Sequence, residues 1–105
     1  MSSPTITTPE RAILGEMPGP EQFFQLGMLY STGRSLPADM VSAHKWFNIA
    51  SMKGHADAAR MRREIAAELT DAEIGQAQRA ARDWLKQTQP APAAVAAKPE
   101  LRAAA

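Results

Sequence analysis

Apolar residues recur with a helical period through the middle of the chain and thin out toward both ends. Phe23, Leu26, Gly27 and Tyr30 fall at i, i+3, i+4 and i+7, one face of a 3.6-residue repeat. They predict a helix over about 21–32, with Pro20 at its start and Gly33 at its stop. Leu36-Pro37 prevents direct continuation. Asp39 then offers an N-cap oxygen to a second helix, about 40–53, whose buried stripe is Ala43, Trp46, Phe47 and Ala50. Lys53 suits the negative end of that helix, and Gly54 is the residue expected just beyond it. A third helix over about 56–69 carries Ala58, Met61, Ile65 and Leu69 along one side. Thr70-Asp71-Ala72-Glu73 reads as a capping box opening a fourth helix, which runs to about residue 87 with Ile74, Ala77, Ala81, Trp84 and Leu85 as its stripe.

The ends have little to bury. Residues 1–8 are rich in Ser, Thr and Pro. Thr8 and Pro9 can start a short turn toward Ala12, Ile13 and Leu14, which Pro18-Gly19-Pro20 then breaks. Beyond Thr88 the chain is mostly Ala and Pro. The expected organisation is therefore a flexible N-terminal segment (1–19), a helical hairpin (20–54), a closing helical hairpin (55–87) and a disordered Ala/Pro tail (88–105). The structured unit is expected to be 20–87, with both tails dispensable. Short links make neighbours in sequence neighbours in space, as antiparallel hairpins.

One stretch carries a more specific pattern. Leu26-Gly27-x-x-Tyr30-x-x-Gly33, followed by Asp39-x-x-x-Ala43-x-x-Trp46-x-x-x-Ala50-x-x-x-Gly54, resembles the Sel-one-like repeat, a relative of the tetratricopeptide repeat that builds helical solenoids. The resemblance covers residues 21 to 58. It implies an all-α fold: a short helical-hairpin repeat of about four antiparallel helices with disordered termini. Gly27 and Ala43 are small where the two helices approach, and Tyr30 and Trp46 are expected to fill the space they leave. The chain departs from the pattern at Ser35, where a second loop glycine is common, and at Leu36, where a smaller Val is usual. After His55-Ala56-Asp57-Ala58, Arg62-Arg63 stands where a second Leu-Gly pair would be, so the third and fourth helices are read as a degenerate hairpin that closes the stack.

Composition narrows the function classes. Of 105 residues 45% are hydrophobic but only 6% aromatic, so the core is built largely from Ala, Leu, Ile and Met, which suits close-packed helices. The net charge is +1, with acids and bases interspersed and no basic stripe, so no nucleic-acid partner is expected. There is no cysteine, which excludes disulfides and thiolate metal sites. The first residues lack the basic and apolar regions of a signal peptide, and no apolar run approaches the ~20 residues that span a bilayer. A cytoplasmic protein with no membrane partner is expected.

The candidate chemistry is sparse. His44 and His55 have no ligand-spaced His or Cys beside them, so no metal, cofactor or catalytic residue is expected and the chain is read as non-enzymatic. Asp71 and Glu73 are explained by the capping box, and Trp46 and Trp84 by the core. Arg60, Arg62, Arg63, Arg79 and Arg82 are interleaved with acids and read as a solvated, ion-paired surface. Binding of another protein remains. The resemblance implies that the first helix of each hairpin lines a concave face, here Glu21, Phe24, Met28 and Ser31, then Asp57, Arg60 and Glu64. Phe24 and Met28 lie off the core stripe and are read as apolar anchors, with Arg60 and Glu64 as orienting charges. The competing expectation is that the Ile13–Leu14 segment folds back over them. The second functional reading is a self-associating homodimer, and the third a regulatory nucleic-acid binder using the arginines.

Overall fold

In the computed structural model the described residues are 9–88; the expectations for the chain before Pro9 and beyond Thr88 lie outside them. Among the described residues the chain is all-helical, in the order α1 (Pro9–Leu14), α2 (Pro20–Thr32), α3 (Met40–Met52), α4 (Ala58–Ala66) and α5 (Asp71–Thr88).

The helix ends follow the local chemistry of the sequence. Asp39 caps α3, its Oδ1 accepting from the Ser42 amide at 3.1 Å. The capping box at α5 is complete: the Thr70 amide donates to Glu73 Oε1 at 2.9 Å and the Glu73 amide to Thr70 Oγ1 at 3.1 Å. α3 ends in a Schellman turn. Gly54 sits at φ +98°, the His55 amide reaches back to the Ala50 carbonyl at 2.9 Å, and the Gly54 amide to Ser51 at 3.0 Å. α4 is shorter than its periodicity predicts. At its start the Asp57 amide is taken by His55 Nδ1, and after Ala66 the chain tightens into bonds from Glu68 to Ile65 and from Leu69 to Ala66.

Packing is organised around α3. Helices α2, α4 and α5 all lie against it, while α1 lies against α2. Ala43, His44, Trp46, Phe47, Ile49 and Ala50 are all buried, too broad an arc for one face, so α3 is covered from several sides. α2 runs antiparallel to α3: the Asp39 amide bonds the Tyr30 carbonyl at one end, and His55 meets Glu21 at the other. α5 runs parallel to α3, because Glu73 shares a cavity with Met40 at one end and Trp84 shares one with Lys53 at the other. The third and fourth helices, expected to close the stack as a hairpin, therefore each pack on α3 and meet one another only marginally. The physical reason lies in α5, whose Ala77 and Ala81 are fully buried and leave room for a close approach to α3.

Two apolar clusters result. The first joins Phe23, Leu26, Trp46, Ile49, Ala50, Ala58 and Ala81, with Ile13, Leu14 and Trp84 at its edge. Phe23 and Trp46 stack at 6.1 Å, and the Trp84 ring stands edge-on to both at 5.3 and 5.4 Å. The second joins Ala43, Phe47 and Ile65, with Phe24, Met28, Met40, Met61 and Leu69 around it. Gly27 permits the α2–α3 approach, but neither Tyr30 nor Trp46 fills the space beside it. Phe47 does: a Cβ on Gly27 would come within 2.5 Å of its ring carbons.

Tyr30 instead turns toward α1, donating its hydroxyl to Glu10 Oε2 at 2.6 Å. Burial first, then that bond and the carboxylate charge, push the Tyr30 pKa up to about 12. Together with Ile13 and Leu14 this anchors a segment expected to be flexible. Among the described residues, side-chain contacts with α2 extend back to Glu10.

His44 adds a pH dependence. It is buried near the Arg62 charge, and its Nδ1 has no hydrogen-bond partner. Burial, then the Arg62 charge, hold its pKa below the usual 6.5. The folded state thus binds fewer protons than the unfolded one once pH falls below 6.5, so the contribution is full above that value and is lost on acidification. Thermal melts from pH 8 to 5 are expected to show a falling melting temperature below about 6.5, and a shallower fall for His44→Gln.

Candidate protein-binding face

Phe24 is positioned by the turn that ends α3. The Schellman turn at Gly54 brings His55 back toward the start of α2, where its ring stacks on Phe24 with centroids 4.0 Å apart and planes 7° from parallel. The His55 ring is held at both nitrogens. Nδ1 accepts from the Asp57 amide at 3.1 Å, which leaves Nε2 as the donor to Glu21 Oε1 at 3.0 Å. Phe47 also packs against Phe24, tilted by 58° with centroids 5.4 Å apart. Phe24 is consequently half-buried, a ring fixed in place with one part of its surface open.

Met28 lies one turn further along α2, half-buried against Ala43, Phe47 and Ile65. Met61 from α4 and Met40 from α3 pack on the same cluster and are also half-buried. The face is thus one aromatic ring among flexible thioethers, side chains that adapt to irregular apolar surfaces. Arg60 and Glu64 are exposed on α4. At 100° per residue they fall on the solvent side of Met61, away from Arg62, whose Nη1 bonds Asn48 Oδ1 at 2.8 Å on the opposite flank of the helix. Arg60 reaches Asp57 at 3.6 Å along its own helix; both side chains are well exposed, so the pair contributes little to stability.

Of the four residues singled out from the sequence, Phe24 and Met28 pack against one apolar cluster, and Arg60 and Glu64 are exposed on α4, the helix that brings Met61 to it. Two others expected on the face are committed elsewhere. Glu21 is engaged by His55, and the Ser31 hydroxyl bonds the Met28 carbonyl at 3.2 Å. Met40, Met61 and His55 contribute as well, which the spacing of apolar positions along the chain does not indicate. Ile13 and Leu14, the competing cover, pack against the first cluster, as Phe24 does too, and Leu14 shares a cavity with Phe23 and Trp84 on the α5 side.

Among the described residues no group of three or more His, Cys, Asp or Glu is placed to hold a metal ion, and no helix is long and apolar enough to cross a membrane. Comparison of the chain with family models, curated proteins and solved structures gives no match.

Proposed function

We propose that this chain is a non-enzymatic interaction module that docks a segment of another protein on the face formed by α2 and α4. The observation that carries the reading is Phe24, a half-buried aromatic ring held by a stacked His55 and a tilted Phe47. Such an anchor loses little freedom when a partner covers it, and interface energy concentrates in a few anchors of this kind. The surrounding methionines suit an apolar, sequence-tolerant contact, and the exposed pair Arg60 and Glu64 supplies orientation at the rim. The resemblance of residues 21 to 58 to the Sel-one-like repeat supports the same face.

A peptide library displayed against the full chain, followed by titration of the strongest binder, tests this. Phe24→Ala is expected to weaken binding by more than about tenfold with the helical circular dichroism intact. Arg79→Ala, on α5, is expected to change it little. The opposite pattern, with Arg79 essential and Phe24 dispensable, overturns the assignment of the face.

A further inference from the structure

We propose a second contact surface on the α1 and α5 side of the molecule, one that pairs two copies of this chain by inserting Met17 of each into a cavity of the other. The cavity, of about 320 Å³, opens where the end of α1 meets the start of α2 and the ends of α3 and α5. Leu14, Phe23, Trp84 and Leu85 supply its apolar walls, and Glu16 and Lys53 its charges. Met17 stands between Glu16 and Pro18, which both line the cavity, yet its own side chain is turned out to 91% exposure. No other large apolar side chain among the described residues is as exposed.

An exposed apolar knob beside its own hole is the arrangement an isologous pair requires. A two-fold axis near the rim carries each Met17 over the neighbouring copy's cavity, so that each contact is made twice. An unbranched thioether fits an irregular slot and makes a favourable contact with an indole ring such as that of Trp84. The charges are self-complementary in the same sense. Glu16 and Lys53 are both exposed and make no ion pair within the described residues, and the same rotation sets each against its opposite on the other copy. This surface is distinct from the Phe24 face, so the two can be occupied together.

Sedimentation equilibrium of the full chain from about 10 μM to 1 mM, the range of weak small interfaces, tests the proposal. The expected result is a concentration-dependent dimer whose dissociation constant rises at least roughly tenfold in Met17→Asp, a change at a side chain outside the core. Glu16→Lys and Lys53→Glu are each expected to weaken the dimer, and the double exchange Glu16→Lys with Lys53→Glu to restore it. A chain that stays monomeric throughout, a Met17→Asp variant that dimerises unchanged, or an exchange that fails to restore pairing overturns the proposal. The last two outcomes would place self-association on another face, and the first would leave the cavity to an apolar side chain of a different protein.

Discussion

Gly27→Leu is expected to lower the melting temperature of the protein by roughly 4 °C or more, despite introducing a better helix former. Two effects oppose one another. Removing a helical glycine stabilises by about 0.8–1 kcal/mol, whereas overpacking a tight core costs typically 1–3 kcal/mol. The geometry decides in favour of the cost. Even the first carbon of the new side chain would sit 2.5 Å from the Phe47 ring, far inside contact distance, and Phe47 is fully buried and cannot swing away. A net loss of one kilocalorie per mole corresponds to about 4–8 °C for a domain of this size. Pairing Gly27→Leu with Phe47→Ala is expected to cost less than the sum of the single changes, because the second creates the room the first needs. Thermal denaturation of the four species checks both statements; an unchanged melting temperature in Gly27→Leu would show that α2 and α3 do not touch there.

Trp46→Ala is expected to do still greater damage, on the order of 3–5 kcal/mol. Trp46 is fully buried at the point where Phe23 of α2 and Trp84 of α5 converge, so its removal withdraws contacts from both neighbouring helices at once. Against a total stability of about 5–15 kcal/mol for a typical domain, that leaves a population partly unfolded at moderate temperature. The indole nitrogen, which has no hydrogen-bond partner, offers an internal control. Trp46→Phe gives up some contact but also removes a buried unsatisfied donor, so it is expected to cost far less than the alanine variant. Urea denaturation followed by circular dichroism distinguishes them; equal losses in both variants would show that the indole donor is satisfied in solution.

Much of the local structure was legible in the residues. The caps at Asp39 and Thr70, the stop at Gly54 and the buried stripes of α2 and α3 depend on chemistry within a few positions, which a sequence displays directly. What escaped was set at long range. Tyr30 reads as a core residue of its own hairpin, and only the tertiary arrangement reveals that its hydroxyl is taken by Glu10, twenty positions earlier. The direction in which α5 returns was hidden for a similar reason: Ala77 and Ala81 announce a close approach, but not to which helix. At the candidate face, Phe24 and Met28 stood out because they fall off the core stripe. The role of His55 did not, since it needs a left-handed turn, a carboxylate on another helix and an aromatic ring to coincide.

The central position of α3 bears on how the molecule comes apart. In a linear array each helix leans only on its neighbours, and the ends can fray while the middle persists. Here α2, α4 and α5 share one support, and none of them replaces it with extensive contacts to the others beyond the clusters α3 itself completes. Loosening α3 therefore removes the partner of every helix it carries in a single event. Cooperativity in so short a chain comes from this shared dependence, and the protein is either assembled around its middle helix or not assembled at all.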